Sequence, residues 1–277
     1  DGRLLAWSSD DNGAERYTAR IKDLATGTML GDEIEGTLGS LVWVAGDKGL
    51  VYTPANEQWR TDRVMLHWLG QPNSADAELY REPDEGFRCS AGLSANEQWL
   101  IVSVGDHETS EARLIPANDP LAEPLLVRPR QTGVEYDLDE RKGVLYIHTN
   151  DTHENFRLAT APLSAPGEWT SLIEGSDAFY LTGVELFRDF YVIEGRVRGL
   201  DRIEAQLALM AAVIGAPAAL TAAEQVSALA PDRDSGWIEQ SYALHELGRT
   251  DEALDLANRA AAEARRLGDE VVLQQNL

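Results

Sequence analysis

The chain has a single cysteine, Cys89, among 277 residues. An internal disulfide is therefore excluded, which fits a reducing compartment, and a cytoplasmic location is expected. No apolar run approaches the roughly 18 residues that a membrane span requires, so a soluble chain with no membrane partner is expected. Positive charge is scarce: Lys and Arg number 24 against 47 Asp and Glu, a formal charge of -23. Without a basic stripe the chain does not suit phosphate backbones or anionic lipid, so nucleic acid is excluded as a partner. Cationic ligands or peptides suit it better. The opening Asp1-Gly2-Arg3-Leu4-Leu5 lacks the basic, apolar and small-residue order of a signal peptide and reads as starting inside a fold.

Catalytic motifs are equally scarce. A nucleophile elbow reads G-x-S-x-G because small neighbours permit the strained turn that carries the serine, and no such string occurs. The nearest approach, Gly92-Leu93-Ser94-Ala95-Asn96, lacks the second glycine. Nothing marks a Ser, an imidazole and a carboxylate as a set, so no catalytic residue is assigned. His148 and His153 with Asp151 match no closed zinc spacing and read as a solvated inter-strand loop. Asp10-Asp11-Asn12-Gly13 with Glu15 lacks the alternating ligands of a calcium loop and reads as a hairpin turn. Neither a metal nor a cofactor is expected. Arg60 with Arg63, and Arg128 with Arg130, are basic islands that either face substrate carboxylates or form structural ion pairs.

What the sequence does contain is a repeat. Strand-like cores begin at Leu4, Gly49, Trp99, Gly143 and Asp189, most of them preceded by a turn rich in Gly, Asn or Asp. Their spacing of roughly 45 to 50 residues is that of a four-stranded propeller blade. Alternation along Tyr17, Ala19 and Ile21 predicts one face buried against a neighbouring blade. A β-sandwich of regularly spaced hairpins is the competing arrangement. The texture changes near Ile203 and Glu204, where Ala-rich sequence with helical spacing begins.

Several short motifs occur in an order that resembles the propeller of the oligopeptidase B branch of the prolyl oligopeptidase family of serine peptidases. They are Asp1 to Ser8, Gly13 to Thr18, Ile21 to Gly27, Val51 to Thr53 with Trp59-Arg60 and Arg63-Val64, Thr109 to Glu111 with Arg113-Leu114, Thr149-Asn150 with Asn155 to Leu158, and Phe187 to Phe190 with Gly199-Leu200. The resemblance covers about residues 1 to 203. It implies a seven-bladed propeller that caps an α/β-hydrolase domain and restricts entry to oligopeptides. Only about five blade-like units are visible, so the ring is expected to be incomplete, with open edges available for self-association. The family's catalytic Ser, Asp and His have no positions onto which they can be carried, which implies peptidase ancestry without activity.

From 204 to 277, Trp237, Leu244, Gly248, Ala253, Ala257 and Ala260 fall at the offsets of a tetratricopeptide repeat, and Ala219 and Pro231 suggest the end of an earlier one. A generic helical hairpin is the alternative. The expected fold is thus mainly β: an incomplete β-propeller over 1–203 with a C-terminal α-helical repeat segment over 204–277. In that segment Ile238, Tyr242, His245 and Glu246 are candidates for contact with a peptide or protein partner. Two functions follow: a non-catalytic gating portion of an oligopeptidase-like enzyme, or a helical interaction scaffold with no peptidase role.

Overall fold

The computed structural model describes residues 2–188, 190–206 and Glu252. The expected helical repeats and their four contact candidates lie outside the described residues. Seventeen strands are present among those described, together with one short 3-10 turn at Asn73–Ala75. No helix there is long and apolar enough to cross a membrane.

The strands form four antiparallel sheets, each following chain order. The first holds β1 (Leu4–Ser9), β2 (Tyr17–Asp23), β3 (Met29–Val44), β4 (Gly49–Pro54), β5 (Arg63–Trp68) and β6 (Ala77–Arg81). The second holds β7 (Arg88–Leu93), β8 (Trp99–Gly105), β9 (Ser110–Pro116) and β10 (Leu125–Arg128). The third is β11 (Tyr136–Arg141), β12 (Val144–Thr149), β13 (Arg157–Pro162) and β14 (Thr170–Ile173). The fourth is β15 (Tyr180–Leu186), β16 (Tyr191–Val197) and β17 (Leu200–Gln206). The chain divides into two compact units, 1–151 with 160–170, and 152–159 with 171–277.

The first sheet is two blades written on one long strand. The early part of β3 pairs with β2 from Lys22↔Met29 to Tyr17↔Thr37, and its later part pairs with β4 from Thr37↔Pro54 to Val44↔Gly49, with a register shift between Thr37 and Leu41. Thr37 thus belongs to both ladders, and on either side of it Gly36 (φ 73°) and Gly39 (φ 100°) occupy backbone conformations that side chains disfavour, which lets the strand leave one ladder and enter the next. Once β3 is split, the repeat seen in the sequence becomes legible: β1, β4, β8, β12 and β16 occupy the same place in five successive meanders. Tight turns join the hairpins. Lys142-Gly143 and Arg198-Gly199 both have positive φ at the two central positions, the geometry that matches the twist of the flanking strands.

Side-chain alternation builds the core of the first unit. Ala19, Ile21 and Ile34 of blade 1 pack with Leu50 and Tyr52 of blade 2. Val51 points the other way, to a second cluster that joins Val64 and Leu66 to Cys89, Leu100, Val102 and Ile115 of blade 3. Strand β4 is therefore buried on both faces, and each of its apolar side chains contributes roughly 1.5–3 kcal/mol through loss of water contact. The predicted burial of Ala19 and Ile21 is observed, while Tyr17 is only half buried.

One boundary differs from expectation. Strand β17 continues through Gln206, pairing Ile193↔Glu204, Val192↔Ala205 and Tyr191↔Gln206. Glu204, Ala205 and Gln206, placed in the helical segment by composition, are extended because β16 offers them a ladder of backbone partners, and such tertiary pairing overrides helix propensity. In the second unit the crowding of β16 gives a direct test. A Cβ on Gly195 would meet the Phe179 ring and lie 2.6 Å from the Tyr180 carbonyl oxygen, which belongs to the paired strand β15. Gly195→Ala is expected to cost about 1–3 kcal/mol by overpacking, read as a lower denaturation midpoint with an unchanged slope.

Candidate functional site

Loops that seemed able to carry chemistry are satisfied internally. Asp10 Oδ1 accepts the N–H groups of Asn12 (3.1 Å) and Gly13 (2.9 Å), and Oδ2 accepts that of Glu15 (2.8 Å). These bonds, led by Glu15 and Asn12, hold the Asp10 carboxyl below its ordinary range. The segment is the β1–β2 turn read from its sequence. Ser94 is buried; its hydroxyl donates to Asn96 Oδ1 at 2.7 Å and accepts the Trp99 N–H at 3.1 Å, so it pins the β7–β8 turn.

His148 corrects the loop reading. It lies within β12, 6% exposed, with Nδ1 3.1 Å from Asp137 Oδ2 on the paired strand β11. The run Val144 to Thr149 is long enough to continue the ladder past Ile147, which draws the histidine into the sheet. His153 does lie in a loop and faces a different carboxylate, Asp177, at 3.5 Å.

The basic islands are structural. Arg60 Nη2 donates to the Asp84 carbonyl at 3.1 Å and the Phe87 carbonyl at 2.5 Å, and Arg63 pairs with Asp62. Arg128 reaches Asp151 and the Gly167 carbonyl while its guanidinium lies 3.8 Å from the Trp169 ring centroid. Arg130 belongs to a larger network at the seam of blades 2 and 3. Its Nη2 lies 2.5 Å from Glu82 Oε2 and 3.5 Å from Glu111 Oε1, and its N–H donates to Glu111 Oε2 at 3.0 Å. Tyr80 donates its hydroxyl to Glu82 at 2.9 Å, and Arg113 Nη1 sits 2.6 Å from Glu111 Oε1, off the hydrogen-bond direction. Burial pushes the Glu82 carboxyl up, but the bonds from Arg130, the Asp84 N–H and Tyr80 outweigh it, and the net shift is downward. Burial and the bond to Glu82 push Tyr80 up to about 12.

A second buried network joins blades 1 and 2. His67, on β5, has no exposed surface; its Nδ1 lies 2.8 Å from Asp76 Oδ1 and its Nε2 3.1 Å from Asp32 Oδ1. Asp32 comes from the blade 1 part of β3, and Asp76 follows the short turn at Asn73–Ala75. Tyr52 donates its hydroxyl to Asp76 Oδ2 at 2.8 Å, and the Gly70 N–H donates to Asp32 at 2.5 Å. Burial, then the bond to Asp76, raises the Tyr52 phenol. Each ring nitrogen of His67 thus faces a buried carboxyl group from a different element. Elsewhere in this unit a cavity of about 670 Å³ opens among blades 1, 2 and 3, lined by Leu4, Leu41, Trp43 and Leu93, with Asp47 and Glu97.

These meanders, with interblade charge clasps and no assembled catalytic set among the described residues, are the architecture of a propeller rather than of a hydrolase. The model of the prolyl oligopeptidase N-terminal β-propeller domain matches residues 1–237. The chain belongs to this family. The match runs past the composition break near 203. Dipeptidyl aminopeptidase BI of Pseudoxanthomonas mexicana is 35% identical over 207 residues, which are 73% of this chain and 28% of that protein. Protease 2 of Moraxella lacunata is 31% identical over 205 residues, 73% of this chain and 30% of the other. Oligopeptidase B from Leishmania major superposes with a TM-score of 0.70 at 30% identity, covering 73% of this chain and 29% of that structure. The chain thus spans under a third of the length of these relatives.

The propeller domain's two clasps escaped sequence reasoning. His67 sits in the apolar run Val64-Met65-Leu66-His67-Trp68, where a lone imidazole is the one local signal of a buried polar partner. Its partners come 35 residues before it and nine after it. No local spacing announces them.

Proposed function

We propose that the chain is the non-catalytic, substrate-gating portion of an oligopeptidase-B-like serine peptidase, acting in the cytoplasm. The observation that carries this reading is the match of the propeller domain to under a third of peptidase relatives, in a sequence with no G-x-S-x-G. A blade framework with buried seams is stiff enough to limit what reaches a neighbouring active site, and a charge of -23 favours substrates rich in Lys and Arg. The buried Cys89 thiol, pushed up to about 12 by burial, is held inert, in keeping with a reducing compartment. The residues after Gln206 are proposed to add a helical repeat that presents Ile238, Tyr242, His245 and Glu246 to a peptide or protein partner.

The isolated chain is expected not to turn over short Arg- or Lys-containing peptides; turnover abolished by a serine-reactive phosphonate would sink the non-catalytic assignment. Gating is tested by exchange. Oligopeptidase B from Leishmania major carrying residues 1–206 in place of its matched segment should still cleave short peptides and spare unfolded protein chains. Equal cleavage of both would refute the gating role.

A further inference from the structure

The clasp between blades 1 and 2 is one hydrogen short if its groups keep their ordinary forms at neutral pH. The imidazole of His67 lies between two carboxyl groups, with Nδ1 2.8 Å from Asp76 Oδ1 and Nε2 3.1 Å from Asp32 Oδ1. Each contact is a hydrogen bond only when a hydrogen lies in it. A neutral imidazole brings one and two carboxylates bring none, so one of the two contacts would set lone pair against lone pair. Solvent is out of reach: the His67, Asp32 and Asp76 side chains are 0%, 5% and 2% exposed. The surrounding groups are committed elsewhere. Tyr52, on β4, gives its hydroxyl hydrogen to the other Asp76 oxygen at 2.8 Å, and the Gly70 N–H goes to Asp32 Oδ1. Arg63, on the same strand as His67, pairs with Asp62 and acts on Tyr52 through its field, while Glu33, beside Asp32, pairs with Arg20.

We propose that the His67 clasp is a proton-keyed lock between blades 1 and 2: the folded chain holds one proton shared among His67, Asp32 and Asp76, and the seam loosens when rising pH removes it. The proton belongs to the cluster. An imidazolium between two carboxylates, or a neutral imidazole beside one carboxylic acid, fills both contacts equally. Once it is gone, two carboxylates share a buried seam with a single N–H between them. The direction of the pH effect is set by the unfolded chain, in which a histidine gives up its proton near about pH 6.5. Above that value the folded chain holds one proton more than the unfolded chain. Folding therefore weakens as pH rises, by up to about tenfold in the folded-to-unfolded ratio per pH unit, until the folded cluster also releases its proton. The inference does not depend on the peptidase reading.

Asp76→Asn provides the test, because the two Asp76 oxygens face different partners, His67 and Tyr52. An amide nitrogen in place of Oδ1 brings its own hydrogen to Nδ1, the amide oxygen still accepts from Tyr52, and a neutral His67 donates from Nε2 to Asp32. No borrowed proton is then needed. The 277-residue chain and the variant are denatured with urea at about pH 6.5 and about pH 8.5. Between these values the folded-to-unfolded ratio of the parent, taken relative to that of the variant, should fall by about tenfold or more. The comparison cancels the titrating groups that both chains share, His148 beside Asp137 included. A relative change of less than about twofold overturns the proposal. Should Asp76→Asn fail to fold, the parent decides alone. Magnetic resonance of its isotope-labelled histidine and aspartate near about pH 7 should show either two N–H groups on the His67 ring or a carboxylic acid at Asp32 or Asp76. A neutral His67 ring beside two ionised carboxylates overturns it.

Discussion

Replacing His67 by Ala is expected to lower the unfolding free energy by about 2–4 kcal/mol, because two buried acidic groups each lose a hydrogen-bond partner. The size follows from what stays behind. Asp32 and Asp76, with side chains 5% and 2% exposed, would keep one hydrogen bond each, from the Gly70 N–H and the Tyr52 hydroxyl, and lose the imidazole between them. Two acidic groups then face one another across a space too dry to screen them. Arg20→Ala is the comparison: its partners Asp11 and Glu33 are 64% and 59% exposed, and no comparable loss is expected. Urea denaturation of both variants decides this, and equal midpoints would remove the seam from the list of structural determinants.

Arg130→Ala should cost about 2–4 kcal/mol at neutral pH, discounted from the fully buried range because the Arg130 side chain is 25% exposed. It leaves Glu82, whose side chain is 1% exposed, with Tyr80 and the Asp84 N–H as donors. The effect depends on pH in a stated direction. In the folded chain the Glu82 carboxyl lies below its ordinary range, so its stabilising share is complete above the unfolded value of about 4.3 and is lost as pH falls through the folded value. The gap between parent and variant should be widest near pH 7 and shrink below about pH 4 as Glu82 takes up a proton in both. A gap that stays constant from pH 7 to pH 3.5 would show that the loss came from packing against Phe87, 4.1 Å from the guanidinium to the ring centroid, and not from charge.

Both clasps have the same place in the architecture. Apolar clusters make neighbouring blades adhere, but hydrophobic contact is not directional. The buried pairs add geometry: His67 lies between the carboxyl groups of Asp76 and Asp32, and Arg130 reaches Glu82 and Glu111 together. We infer that they fix how each blade is seated on the next. Replacing His67, Asp32 and Asp76 together by apolar residues should therefore restore more stability than His67→Ala retains, since no charge would remain buried without a partner.

By itself the sequence determined the local periodicities. The period of two along Ala19 and Ile21 placed a face inside, the glycine of Arg141-Lys142-Gly143 marked a turn before a strand, and the spacing of the cores at Leu4, Gly49, Trp99 and Gly143 disclosed the repeat. These are properties of a few adjacent residues. The tertiary structure decided what depends on residues far apart: that β3 serves two blades, that strand pairing carries β17 through Gln206, that His148 enters β12, and that His67 meets Asp32 and Asp76. The physical reason is that a backbone ladder or a buried ion pair is chosen by whichever group the fold brings within about 3 Å, whatever its distance along the chain.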